Sequence, residues 1–277
     1  MPVHDDLGTR MKTYYEQIPK SRLMRRTPVA IRIDGKAFHT FTRGFKKPFD
    51  EILIKSMQET MKYLCENVQG CVLGYTQSDE ITLILVDYKN LNSAAWFDYE
   101  VQKCCSIAAS MATMVFNRVF REYAEKHIND YQDTWNTVEE DWKYCEALIN
   151  ALKKGAMFDA RVFNIPKEEV TNLIYWRQLD ATRNSIQMVG QANFSHKELQ
   201  NKSCNDIRDM LVNQKGIDWW DFPTCQKFGS CCIKKQYEDT TEDEAAFITR
   251  TYWVIDNDIP VFKENDREYI EKLINFE

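Results

Sequence analysis

Val29, Ile31 and Ile33 stand between Ala30, Arg32 and Asp34, the period-two pattern of a strand with one apolar face. Beyond a loop containing Gly35, Gly44 and Pro48, the apolar positions Ile52, Leu53, Met57, Met61 and Leu64 fall at near-helical spacing. That spacing predicts an amphipathic helix over 50–68. Cys71 to Tyr75 and Ile81 to Val86 then read as the two arms of a hairpin, with the polar group Gln77-Ser78-Asp79-Glu80 at its tip. Between about Ala94 and Tyr123, Val101, Cys104, Ala108, Ala112, Val115, Val119 and Tyr123 recur every three or four positions, which predicts a long, largely buried helix. A fourth strand is expected at Met157 to Ile165, ended by Pro166.

Strand, helix, strand, strand, helix, strand is the order of the split βαβ, ferredoxin-like layout, which nucleotide polymerase palms also use. The fold class expected is therefore α+β, with residues 1–166 as a palm-type catalytic domain. Residues 167–277 are expected to be a C-terminal helical and β extension packed on that palm. In it, helices are predicted near Glu168 to Val189 and Ser195 to Gln214, the second opened by a Ser195-His196-Lys197-Glu198 capping box. Strands near Ser230 to Tyr237 and Phe247 to Val254 follow, joined by a loop over the acidic stretch Glu238 to Glu244, and a helix near Asn265 to Ile274 comes last.

Composition narrows the function classes. With 44% apolar and 28% charged residues in 277, the chain has the balance of an ordinary globular protein. No run of about 18 apolar residues occurs and the start is polar, so a cytoplasmic protein without membrane segments is expected. Nine cysteines in mostly apolar surroundings suit reduced, buried thiols, and Cys225, Cys231 and Cys232 lack the paired spacing of a zinc site. A net charge of -6 argues against a broadly basic nucleic-acid surface. It leaves local clusters: Lys20, Arg22, Arg25 and Arg26; Arg43, Lys46 and Lys47; Lys153 and Lys154; Lys234 and Lys235.

Candidate chemistry concentrates at one end of the expected sheet. Asp34 ends a strand and precedes Gly35, while Asp79 and Glu80 sit at the expected hairpin tip. In a split βαβ sheet the first and third strands are neighbours, so the acids converge in a geometry suited to two divalent cations bridging a triphosphate. Gly35, lacking a Cβ, is expected to let the chain turn tightly after Asp34. A plain strand-ending turn and a plain hairpin tip account for either motif alone; their joint occurrence favours the metal site. The nine glycines form neither a P-loop nor a G-x-G-x-x-G turn, and four histidines with no G-x-S-x-G elbow give no hydrolase pattern.

The run Arg32-Ile33-Asp34-Gly35-Lys36-Ala37-Phe38-His39 resembles the R-x-D-G-x-x-F-H motif of the tRNA(His) guanylyltransferase-like family. Gly74-Tyr75-Thr76-Gln77-Ser78-Asp79-Glu80, Phe158-Asp159-Ala160-Arg161 and Trp176-Arg177-Gln178 with Asp180 resemble the family's Y-x-Q-S-D-E, F-D-x-R and W-R-Q-x-D motifs, in order, over about residues 28 to 180. The resemblance implies a palm fold, two Mg2+ ions, ATP and GTP as substrates or activators, a tRNA partner and a homotetramer. It implies 3′-to-5′ nucleotide addition, in which an incoming 3′-hydroxyl attacks an activated tRNA 5′ end. By position, Asp34 and Asp79 look like metal carboxylates, the Gly35 carbonyl a further ligand and Glu80 a neighbouring acid. Gly35, Lys36, Ala37, Phe38, His39, Lys47 and Ser78 look like nucleotide-binding residues, and Arg32 and Lys103 like basic residues facing phosphates.

Two positions depart from the pattern. Thr182 stands where eukaryotic guanylyltransferases carry a histidine, and Glu100 where relatives often carry a base. The first makes the chain look like the family branch that repairs truncated tRNA 5′ ends by templating. Alternatives are a guanylyltransferase adding one G to tRNA(His), a palm-fold nucleotidyl cyclase acting without RNA, and a noncatalytic RNA-binding protein. The last is disfavoured because clustered carboxylates facing phosphates repel unless cations intervene.

Overall fold

The alternation at 29–34 forms the first strand of a six-stranded antiparallel sheet. The computed structural model describes residues 6–134, 139–240 and 247–276. The strands are β1 (Val29–Gly35), β2 (Cys71–Gln77), β3 (Glu80–Leu85), β4 (Phe158–Asn164), β5 (Ser230–Thr240) and β6 (Phe247–Asp256), in spatial order β4-β1-β3-β2-β5-β6. The helices are α1 (Asp6–Met11), α2 (Phe38–Phe41), α3 (Glu51–Asn67), α4 (Val101–Thr134), α5 (Glu139–Lys154), α6 (Val170–Asn193), α7 (His196–Leu199), α8 (Cys204–Lys215), α9 (Thr224–Phe228) and α10 (Glu268–Ile274).

Both faces of the sheet are covered. Val29, Ile31 and Ile33 share a core with Ile81, Leu83 and Leu85 of β3, Met57, Met61 and Leu64 of α3 and Ala108, Ala112 and Phe116 of α4. On the opposite face Ala30, Leu73 and Ile84 pack against Val170 and Ile174 of α6 and Ile270 and Ile274 of α10. A third core joins the end of α6 to α8 through Val189, Leu211 and Trp219. Cover on two sides explains why β3 is buried throughout. In β1 only Arg32 and the terminal Asp34 and Gly35 reach partial exposure.

Several boundaries differ from expectation, each for a local reason. A 3₁₀ turn at Trp96–Tyr99, with Phe97, Asp98 and Tyr99 at positive φ, delays α4 to Val101. Helix α5 has no counterpart among the predicted elements, although its buried Tyr144, Leu148 and Ala151 have helical spacing. The single helix expected over 195–214 divides into α7 and α8, because Ser203 and Asp206 form a second capping box behind that of Ser195 and Glu198. Glu238 to Thr240 belong to β5 instead of a loop, and 241–244 lie outside the described residues. Strand β5 pairs with β2 only over Gly74 to Thr76, beyond which β5 and β6 continue as a two-stranded ribbon. No helix of the described residues is long and apolar enough to cross a membrane. All nine cysteines are free thiols, six of them buried.

Candidate active site

Strand register assembles the acids. Asp34 is paired with Glu80 of β3 on one side and Asp159 of β4 on the other, so three carboxyl-bearing residues form a row across adjacent strands. Residues paired in this way lie on the same face of the sheet. Between β2 and β3 the chain turns in two residues, Ser78 and Asp79, with Ser78 at φ 50°. The Gly35 N–H donates to the Asp79 carbonyl at 3.0 Å, which fastens this turn to the end of β1. The need for Gly35 differs from the tight turn expected. Its φ is not positive; a Cβ there would stand 2.3 Å from the Phe38 ring, so glycine answers a close approach. The left-handed residue of the turn is Ala37, at φ 54°.

A cavity of about 490 Å3 opens over this end of the sheet. It is lined by Asp34, Gly35, Ala37, Phe38, His39, Lys47, Ser78 and Asp79, all expected from sequence, and also by Thr42, Lys46, Asp50 and Met188. Its floor is rigid, because the Phe38 ring packs against Phe41, Phe116 and Phe158 at centroid separations of 5.1 to 5.5 Å. Buried Asp50 caps α3 by accepting from the Leu53 N–H (2.9 Å) and accepts also from the Lys46 N–H (3.2 Å). This second bond anchors the segment that carries Lys46 and Lys47. Met188 arrives from α6, well over a hundred residues along the chain, and carries no local signal of the site.

Burial pushes the Asp79 carboxyl above its ordinary pKa, the Ser78 hydroxyl bond (3.0 Å) pulls it back, and the charge of Asp34 raises it. Among the described residues neither Asp34 nor Asp79 has an ion pair, and the nearby positive charges, Lys46 and Lys47, line the cavity separately. No group of three His, Cys, Asp or Glu side chains forms a metal cluster among the described residues. Two carboxylates and a backbone carbonyl at Gly35 are nonetheless an all-oxygen donor set. It suits a hard cation of the Mg2+ type, which keeps water and substrate phosphates as its remaining ligands.

Glu80 is not at the hairpin tip. It begins β3, is 8% exposed, and its Oε1 accepts from Arg177 Nε at 2.6 Å. Burial raises its pKa while Arg177 lowers it. Arg177 also donates to Asp180 (2.9 Å), and Arg183 pairs with the same carboxylate. Gln178 donates to the Pro260 carbonyl (2.8 Å) and accepts from the Phe262 N–H (3.0 Å). The W-R-Q-x-D segment thus braces β3 and the C-terminal chain, a role its sequence did not reveal. Trp176 remains half-exposed, with Arg177 at 4.6 Å and Arg32 at 5.8 Å from its ring. The Arg32 Nε is buried without a hydrogen-bond partner.

Lys103 does not join the cavity. Helix α4 meets the site end of β4 at Thr113, whose hydroxyl accepts from the Phe158 N–H (3.2 Å), and Lys103 lies about 15 Å back along the helix. Its ammonium stands over the Phe97 ring at 4.7 Å. Lys36 is exposed and does not line the cavity. Asp159 and Arg161 are exposed on β4, 3.9 Å apart.

The family model described as tRNAHis guanylyltransferase (Thg1) matches residues 8–166. A solved bacterial tRNA(His) guanylyltransferase-like protein in complex with ATP is 39% identical, with a TM-score of 0.79 over 98% of this chain and 100% of its own. An uncharacterized protein of Acanthamoeba polyphaga mimivirus is 30% identical over 91% of this chain and 85% of its own length. A probable tRNA(His) guanylyltransferase of Dictyostelium discoideum is 23% identical over 85% and 86%. These relationships, with the paired acids over a cavity, define a nucleotidyltransferase. The chain belongs to the tRNAHis guanylyltransferase family.

Proposed function

We propose that this enzyme adds nucleotides to the 5′ end of tRNA in the 3′-to-5′ direction, selecting each by pairing with the opposite strand, and so repairs truncated acceptor stems. The observation that carries this reading is the pair Asp34 and Asp79, which face one cavity with Lys46, Lys47 and His39 and have no ion-pair partner among the described residues. Residues 1–166 act as the catalytic domain, consistent with the family match over 8–166, and 167–277 as the extension packed on it. The strand order β4-β1-β3-β2, with α2 and α3 between β1 and β2 and α4 and α5 between β3 and β4, supports a ferredoxin-like palm.

Asp34, Asp79 and the Gly35 carbonyl would hold two Mg2+ ions, which when bound would neutralise charge on phosphate oxygens and lower the pKa of the attacking hydroxyl. Lys47, His39 and Ser78, with the backbone from Gly35 to Phe38, receive a nucleoside triphosphate. ATP and GTP fit this role, since solved bacterial relatives carry one or the other. The oxygen of the incoming 3′-hydroxyl forms a bond to the activated 5′ phosphorus as its proton passes to solvent, the bond to the activating group breaks, and that group leaves as an anion. Glu80 accepts from Arg177 and holds the start of β3 in place. RNA crosses the neighbouring face of the sheet, where the half-exposed Trp176 offers a ring for stacking with the Arg32 guanidinium beside it. Four copies assemble, as the family resemblance implies. Thr182, whose hydroxyl bonds the Gln178 carbonyl at 2.8 Å, leaves no histidine for guanylation specific to tRNA(His).

Purified protein with Mg2+ and labelled nucleoside triphosphates is tested against 5′-truncated tRNAs with different template bases, intact tRNA(His), and no RNA. Addition of the complementary nucleotide, stopping at a full acceptor stem, is expected. Efficient addition of G to intact tRNA(His) regardless of the opposing base, with failure on truncated tRNAs, would restore the guanylyltransferase reading. A cyclic product without RNA would replace both.

A further inference from the structure

A second cavity, of about 460 Å3, lies at the other end of the sheet from Asp34 and Asp79. Strand β3 alone spans about 20 Å between the two. Its walls come from the start of β2, the loop that follows β3, the middle of β5 and the end of α10. Lys89, Lys234 and Lys272 line it, and among the described residues no carboxylate does. In a chain of net charge -6, three cations gathered on one concavity without an acid are a local reversal of sign.

Among the described residues none of the three lysines has a carboxylate partner. Each ammonium stands over an aromatic ring instead: Lys89 over Phe276 at 5.4 Å, Lys234 over Trp253 at 5.0 Å and Lys272 over Tyr269 at 5.5 Å. Such contacts hold a cation in position while leaving its N–H donors for another partner. The neighbouring acid, Asp87, is fully buried and committed to Arg25 (2.6 Å) and to the Arg26 N–H (2.8 Å).

The loop bearing Lys89 is built to stay in place. Arg26 donates to the carbonyls of Asp87, Asn90 and Leu91 at 3.1 to 3.3 Å, and Arg25 to that of Ser93 at 3.1 Å. A fixed lining loses little freedom when a ligand binds. The remaining wall is mixed: Gln69, Ser93 and Gln236 are polar, while Val72, Leu273 and Phe276 form its apolar part. Its volume is close to that of the active-site cavity and within the range of small-molecule sites.

We infer that this cavity is a second ligand site, for a phosphorylated small molecule of nucleotide size. Its phosphates meet Lys89, Lys234 and Lys272, and its flat body lies against Val72 and Phe276. The inference stands apart from the proposed tRNA chemistry, because it concerns binding about 20 Å from the acids.

The test is calorimetric titration of the full chain with ATP, with inorganic triphosphate and with a 5′-phosphorylated single-stranded RNA oligonucleotide. Two ATP sites per chain are expected. Lys89→Gln, Lys234→Gln and Lys272→Gln together should weaken one site at least tenfold and leave the other unchanged. Asp34→Ala with Asp79→Ala should have the converse effect. If the triple variant folds poorly, Lys272→Glu alone, at an exposed position, should weaken the same site. A single ATP site in the unmodified protein, or a second site indifferent to the lysines, would overturn the inference. Triphosphate binding as tightly as ATP would remove the role of the apolar wall. Tighter binding of the oligonucleotide at the lysines would give the cavity to an RNA strand.

Discussion

Asp34 and Asp79 are near enough for the charge of one to raise the pKa of the other, and no basic side chain neutralises either among the described residues. Asp34→Ala or Asp79→Ala should therefore lower single-turnover nucleotide transfer at least about a hundredfold. Neither should lower the melting temperature, because each removes a repulsion and no core contact. Residual transfer above about a hundredth of the unmodified rate for both variants, with Mg2+ saturating, would contradict the metal assignment. Gly35→Ala tests packing. The added methyl meets the Phe38 ring at 2.3 Å, so a loss of about 1 to 3 kcal/mol is expected by denaturant unfolding. Phe38→Leu in the same chain should return part of that loss, and a strictly additive double variant would refute the clash. Glu80 and Arg177 make a buried pair, with side chains 10% and 9% exposed. Arg177→Met leaves the Glu80 charge without its partner and should cost about 3 to 5 kcal/mol, and Glu80→Gln added to it should recover much of that. Equal stability of the single and double variants would show that the pair is incidental.

The elements most faithful to their sequence are β1, α3 and the β2–β3 hairpin, where periodicity and burial coincide. Those that diverged did so through interactions periodicity does not report: positive φ at 97–99 before α4, and a second capping box inside 195–214. The box has a pH signature. Asp206 is held below its ordinary pKa by the Ser203 N–H and hydroxyl. A depressed carboxylate adds stability that is present above pH 3.8, its unfolded value, and is lost as pH falls through the folded value. Amide exchange in the first turn of α8 should thus accelerate in acid relative to the rest of the helix, and Asp206→Asn should remove the difference. Unchanged pH dependence in that variant would deny the cap its role.

Across the whole molecule, a net charge of -6 confines phosphate contacts to a few local groups. Measured binding of truncated tRNA should therefore weaken only moderately with salt, and Arg32→Gln should reduce the slope of log K against log salt by about 1. Trp176→Ala should weaken tRNA binding without altering ATP affinity; a loss confined to ATP would move the ring to the nucleotide site. The chain's own pattern determined the alternating strands, the helices α3 and α4 and the acids at 34 and 79, and its motifs, through the family they resemble, pointed to the cavity residues Gly35, Ala37, Phe38, His39, Lys47 and Ser78, because periodicity, turn residues and short motifs depend on near neighbours. Tertiary structure alone decided that Glu80 turns to Arg177, 97 residues away, that Gln178 grips 260–262, that Met188 reaches the cavity and that Lys103 does not. It also extended the sheet with β5 and β6 and gathered three lysines at its far end. Such meetings depend on which buried charge finds its partner and which apolar face is covered, and those choices exist only once distant segments pack together.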